Sequence, residues 1–218
     1  MMRFFKTPFL LKLIWHNYFW NQPSDSKTIY LTFDDGPIPE ITEYVLDQLA
    51  EYQAHATFFC VGDNIRKHPD VFQKIIRQGH SVGNHTYNHL DGWKTPNLDY
   101  LENIRICQDT IDQVLKNSNS KANHQLNKLL FRPPYGKIKK KHYQNLKNTH
   151  HVIMWDVLTY DFDARLSSEY CLQKAIQNTC PGSIVVFHDS LKTETKLKFV
   201  LPQYLSHFKK LGFDFQRL

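Results

Sequence analysis

Thr32-Phe33-Asp34-Asp35-Gly36-Pro37 sets two adjacent carboxylates at the point where an apolar run gives way to a Gly-Pro turn. Like charges side by side repel unless a cation or a proton-transfer task divides their roles. Asp35 also has a bland reading, because Asp before Gly-Pro readily bonds the local backbone of a turn. The choice between the two depends on whether the rest of the chain supplies a metal site, a partner cation and an acid.

Working outward, residues 28–33 are β-branched and aromatic and read as a buried strand, and Ile41, Val45, Leu46 and Leu49 then recur at helical spacing. The same alternation continues along the chain. Strands are expected at 56–61, 80–84, 129–131, 151–155, 183–187 and 213–215. Helices are expected at 62–77, 98–115, 138–147, 167–179 and 199–211, with the polar stretch 116–128 as a surface excursion. Strand and helix alternating without a linker argue for parallel strands joined by crossovers. The expectation is a single α/β domain, with residues 1–27 as a segment packed on it. Asp34-Asp35, His85, Arg132, the residues after Trp155, and His188 all follow the ends of different strands, the face on which a barrel assembles its site.

The composition, 41% hydrophobic and 14% aromatic over 218 residues, supports a sizeable core and excludes a disordered chain. A net charge of +6 permits anionic partners, but Lys137-Ile138-Lys139-Lys140-Lys141 reads as a solvated helix start, and no motif supports nucleic-acid binding. Cys60, Cys107, Cys171 and Cys180 contain no Cys-x-x-Cys pair and read as reduced. Near the start, Arg3 and Lys6 precede an apolar run that imitates a signal sequence. Lys12 and His16 interrupt it, no small-x-small site follows, and it is too short to span a bilayer. It reads as an amphipathic segment packed on the domain, with docking to a membrane surface as the alternative and a cytoplasmic location as the expectation.

His85-Thr86-Tyr87-Asn88-His89 spaces two imidazoles so that one helical turn would aim both at a single point. With Asp35 they would form a two-His, one-Asp metal site, the alternative being a chance pair in a chain with 12 histidines. Zinc on three protein ligands lowers the pKa of its water to roughly 7, leaving Asp34 free as general base. Arg132 is the candidate to hold Asp34, since guanidinium grips carboxylate; Arg132-Pro133-Pro134 would otherwise be only a rigid turn. His188 ends its strand on the same face and is either a core residue or an acid whose ring Asp161 orients. Asp161 has its own bland reading as a loop carboxylate. Trp93, Tyr87 and Phe162 are loop aromatics, either apolar faces for a bound substrate or packing residues.

Together these residues resemble the polysaccharide deacetylases of carbohydrate esterase family 4, the NodB homology domain. Thr32 to Pro37 resembles the first motif, His85-Thr86-x-x-His89 the second, Arg132-Pro133-Pro134-Tyr135 the third and Val186-Phe187-His188 the fifth. The fourth is less similar: Asp161 matches, but Leu158 and Phe162 stand where the family often has Asp and Trp. The resemblance spans residues 28–218 as one catalytic domain and implies a distorted (β/α)7 barrel and a divalent metal, zinc first with cobalt or nickel as alternatives, on Asp35, His85 and His89. It implies Asp34 as base, Arg132 and Asp161 as its and the acid's partners, His188 as acid, and the Tyr135 backbone N–H at the oxyanion. The implied reaction is removal of acetyl groups from an N-acetylated oligo- or polysaccharide. O-acetyl ester hydrolysis and an inactive glycan-binding domain are the alternatives.

Overall fold

The computed structural model describes residues 3–23, 26–117 and 128–218. In chain order its elements are α1 (Phe9–Ile14), β1 (Thr28–Asp34), α2 (Ile41–Glu51), β2 (Thr57–Cys60), α3 (Gly62–Lys67), α4 (Pro69–Arg77), β3 (Ser81–Asn84) and α5 (Asn97–Asn117). These are followed by β4 (Leu129–Phe131), α6 (Lys140–Leu146), β5 (His150–Val152), β6 (Val157–Leu158), α7 (Ser168–Asn178), β7 (Ile184–His188), α8 (Glu194–Lys210) and β8 (Asp214–Gln216). β1 is buried along nearly its whole length, as a central parallel strand covered on both faces must be.

The strand order is β5-β4-β3-β2-β1-β7-β6, with β8 paired to the start of β1 and every pairing parallel. Register matters most at the end of β1, where Asp34 lies opposite Phe59 on one side and His188 on the other. Phe33 stacks on Phe58 and Phe187, with ring centroids 5.1 and 5.7 Å away, so the core directly beneath the carboxylate pair is aromatic and close-packed. Helix α8 covers it through Tyr204, whose ring meets Phe187 edge-on.

β5 and β6 lie at opposite ends of the strand order, yet few residues separate them in sequence. The connection Ile153–Asp156 crosses the seam: Ile153 N–H donates to Phe131 of β4, and Asp156 N–H donates to Ile184 of β7. Arg132 fills the gap, donating to the carbonyls of Ile153 and Met154 that a regular ladder would otherwise have paired. Residues from the N-terminal stretch line the seam on both sides. Leu158 N–H donates to Phe5, Thr7 N–H to Asp156, and Phe19 exchanges bonds with Val152 and Met154. The sheet is thus an incompletely closed (β/α)7 barrel, curved round the end of β1.

Several elements differ from the sequence-based expectation. The helix expected over 62–77 is two helices broken at His68, because the residue before Pro69 is driven out of the helical region and takes φ −130° and ψ 55°. The last helix begins at Glu194 rather than near 199 and carries Pro202 in its interior. Pro202 has no N–H for the Lys198 carbonyl, and the Tyr44 hydroxyl donates to that carbonyl instead, at 3.2 Å. β6 was not expected at all. The excursion expected at 116–128 falls largely outside the described residues.

Candidate active site

The turn after β1 is strained. Asp35 has φ +87°, a conformation that non-glycine residues avoid. Three contacts hold it: Gly36 N–H donates to Asp189 Oδ1 at 3.0 Å, Asn64 Nδ2 donates to the Asp35 carbonyl at 2.8 Å, and Val61 N–H donates to the Gly36 carbonyl. A Cβ on Gly36 would lie 2.1 Å from Asp189 Oδ2, so only glycine lets the turn sit down on that carboxyl. Asp189 is fully buried and also accepts from Thr42 Oγ1 at 2.5 Å. Burial pushes its carboxyl up to about 8; the Thr42 bond opposes this and the nearby Asp35 charge adds to it. The sequence reading assigned Asp189 no role. The available signal was a second carboxylate directly after His188 at a strand end.

Asp35 Oδ1 lies 3.2 Å from His89 Nε2 and 3.8 Å from His85 Nε2, and the three ligand atoms lie within 4.8 Å of one another. The His85 to His89 stretch is not the helical turn the spacing suggested. Thr86 and His89 have φ of 63° and 55°, and it is this pair of left-handed residues that folds both rings toward Asp35. Asn103 of α5 pins the loop, its Oδ1 accepting from Tyr87 and Asn88 N–H and its Nδ2 donating to Asn88 Oδ1. Asn103 is a further residue that sequence reasoning missed.

His85 Nδ1 lies 2.8 Å from the Arg132 carbonyl, which can only accept, so the ring proton sits on Nδ1 and the Nε2 lone pair faces Asp35. Burial pushes His85 down to about 4, against the attraction of Asp34, so its imidazole is neutral at pH 7, the form that binds a metal. Burial would raise Asp35, but the bond from His89 and the neighbouring His188 and His85 outweigh it and hold the carboxyl well below its ordinary value. One ionised carboxylate and two imidazoles, one with its tautomer pinned, facing an open cavity, fit a divalent cation.

Arg132 is fully buried and reaches the site from the end of β4. Its Nη1 donates to Asp34 Oδ1 and Thr32 Oγ1, both at 2.7 Å, and its guanidinium lies 4.2 Å from the centroid of the Phe59 ring. Across the cavity, Asp161 is bonded twice to His188: Oδ2 accepts its backbone N–H and Oδ1 lies 2.8 Å from Nδ1. Burial alone would lower His188, but Asp161, with Asp35 and Asp34 beyond it, raises it to about 9. The imidazolium is therefore the neutral-pH form, and its Nε2–H is the free donor.

Asp34, Asp35, His85, His89, Tyr135 and His188 all line one cavity of about 440 Å³. Arg132 and Asp161 stand directly behind it. Tyr135, at φ 60° in a 3-10 turn, sets its ring edge-on to His89 at 4.7 Å. Of the aromatic candidates, Phe162 lines the cavity and meets the His188 ring edge-on at 5.0 Å, whereas Trp93 and Tyr87 do not line it. Leu158 lines the same wall, so both departures in the fourth motif face the space a substrate would occupy.

The profile of the polysaccharide deacetylase family matches residues 21–153. A peptidoglycan-N-acetylglucosamine deacetylase of Bacillus cereus is 31% identical over 198 residues, covering 90% of this chain and 88% of the relative. A chitooligosaccharide deacetylase of Azorhizobium caulinodans is 31% identical over 174 residues, covering 76% and 75%. The crystal structure of the Bc1960 peptidoglycan N-acetylglucosamine deacetylase, bound to a naphthalenyl N-oxidanyl-benzamide, superposes with a TM-score of 0.83 at 27% identity, covering 97% of this chain and 95% of that one. A family model over more than half of the chain and a relative 31% identical over 90% of it agree with the fold, and this chain belongs to the polysaccharide deacetylases, carbohydrate esterase family 4.

Proposed function

We propose that this chain removes the acetyl group from N-acetylglucosamine residues of a glycan, with Asp34 as base and His188 as acid. The observation that carries the reading is the pairing of roles across one cavity. An Arg132-held carboxylate and an Asp161-held imidazolium face each other beside a carboxylate and two imidazoles suited to a metal. The named activities of the Bacillus cereus and Azorhizobium relatives support an N-acetylated sugar as substrate.

A divalent cation on Asp35, His85 and His89, zinc by the character of the donors, would polarise the amide carbonyl and acidify the attacking water. Asp34 takes the proton from that water, its free oxygen aimed by the bond from Arg132 to the other. The Tyr135 backbone N–H donates to the carbonyl oxygen as charge develops there. His188 hands its Nε2 proton to the departing nitrogen, which must leave as an amine, and Asp161 stabilises the imidazolium until it does. The wall formed by Leu158, Phe162 and Trp155 supplies apolar contact to the sugar face.

Acetate release from N-acetylglucosamine oligomers, peptidoglycan fragments and acetylated xylan, measured with chelator and with zinc restored, tests the proposal. Metal-dependent release from the N-acetyl substrates, lost in Asp34→Asn, is expected. Release confined to the O-acetyl substrate, or full activity in Asp34→Asn, would overturn it.

A further inference from the structure

Helix α1 is turned inside out. A helix lying on a domain normally presents its apolar stripe to the core and its charges to water. Here Lys12 points inward, its Nζ 2.5 Å from Asp156 Oδ1 and its side chain only 20% exposed. Phe9, Leu10, Leu13 and Ile14 point outward, 72, 70, 54 and 64% exposed, and no residue of the helix is buried. Trp15, next in sequence, is exposed as well, as are Phe4 and Phe19.

The attachment holds this orientation. Lys6 and Lys12 both pair with the buried Asp156, which also accepts from Ser183 Oγ. Thr7 N–H bonds the Asp156 carbonyl, and Trp20 Nε1 bonds the Trp15 carbonyl beyond the helix. Rolling the apolar side chains inward would break the Lys12 pair and leave the buried Asp156 with Lys6 as its one remaining counter-charge among the described residues.

The chain on either side of α1, and the stretch it packs on, carry no acidic residue. No Asp or Glu occurs between Met1 and Ser24, and none between Gln113 and Trp155. These two acid-free stretches pack together: Phe19 exchanges backbone bonds with Val152 and Met154, its ring meets His151 at 4.7 Å, and Tyr18 meets Tyr143 of α6 at 5.0 Å. α6 adds exposed Lys140 and Lys141, and Lys147 follows it, also exposed. Exposed Leu, Ile, Phe and Trp, together with lysines that form no ion pair among the described residues, are the combination that binds an anionic lipid surface, the apolar groups entering the headgroup boundary and the lysines lying over it. A second copy of this chain would set two acid-free faces against each other, and a glycan strand offers Phe9, Leu10, Leu13 and Ile14 no hydrocarbon layer to enter.

We propose that α1 with its basic flank docks this enzyme onto an anionic lipid bilayer. No helix among the described residues is long and apolar enough to cross a membrane, so the contact is peripheral. The inference is independent of the catalytic reading, because lipid binding is measured without turnover.

The test is co-sedimentation of the full chain with phosphatidylcholine vesicles, with and without phosphatidylglycerol. The wild type is expected to partition onto the phosphatidylglycerol vesicles and to be released by salt. Leu10→Glu/Leu13→Glu should reduce partitioning at least about tenfold, and Lys140→Glu/Lys141→Glu should weaken it and blunt the salt effect. Phe9→Ser/Ile14→Ser serves as the milder variant should the glutamate pair not fold. Melting and acetate release from a soluble oligomer should be unchanged throughout, since none of these side chains lines the cavity. Absence of vesicle binding, equal binding to both vesicle types, or binding that the variants leave intact would overturn the proposal. So would a concentration-dependent dimer, seen by light scattering, that the Leu10→Glu/Leu13→Glu variant dissolves in a chain that ignores vesicles.

Discussion

Arg132→Met is the most informative single change, because Arg132 serves the barrel seam and the site together. Methionine keeps much of the stem and loses every donor. In the wild type, Nη1 serves Asp34 and Thr32, Nη2 serves the Met154 carbonyl at 2.9 Å, and Nε serves the Ile153 carbonyl at 3.3 Å, all inside a fully buried environment. Removing one partner of a buried ion pair costs about 3–5 kcal/mol, since the remaining charge stays desolvated. Two seam carbonyls losing donors push the expected loss toward the upper end, each unsatisfied group costing about 1–3 kcal/mol where water cannot replace the bond. The measurement is urea unfolding at pH 7, with the slope unchanged and the midpoint lowered. In the double variant Arg132→Met/Asp34→Asn the uncompensated charge is gone, so it should be more stable than the sum of the single losses by about 1–3 kcal/mol. Acetate release from Arg132→Met should fall by about 10²–10⁴, the range for a general base out of position. A loss of stability below about 1 kcal/mol, additive single losses, or near-normal turnover would each refute the reasoning.

Three further outcomes follow from the site. His188 is raised from its ordinary 6.5 to about 9, so its pair with Asp161 stabilises the fold fully below about 6.5 and loses that contribution as pH rises through 9; unfolding free energy followed from pH 6 to 10 should show this decline in the metal-free wild type and not in Asp161→Asn. Gly36→Ala drives a Cβ into Asp189 and displaces the turn that carries Asp35, so zinc affinity by calorimetric titration should fall at least about tenfold and stability by about 1–3 kcal/mol; an unchanged affinity would remove Asp189 from the support of the ligand. Zinc at about a hundredfold excess over its dissociation constant should stabilise the wild type by about 2.7 kcal/mol, and a melt of His85→Ala should show no such gain.

The parts legible in the sequence were those set by near neighbours. Apolar runs of period two and stripes of period 3.6 depend on residues a few positions apart, so most strands and helices, and the motifs at their ends, could be located without coordinates. The departures have local causes as well, once seen: Pro69 splitting a helix, Pro202 tolerated within one, and β6 too short to show any period.

What only the tertiary structure decided was which distant groups complete each local choice. The left-handed Asp35 turn is held by Asp189 and Asn64, and the left-handed pair at Thr86 and His89 sits in a loop bonded by Asn103. Arg132 is a clamp on Asp34 because residues 153–156 cross the seam above it. Helix α1 offers its apolar side to solvent because Asp156 draws Lys12 inward. In each case a polar group demands a partner, and the way helices and strands pack, not spacing along the chain, determines which one comes within reach.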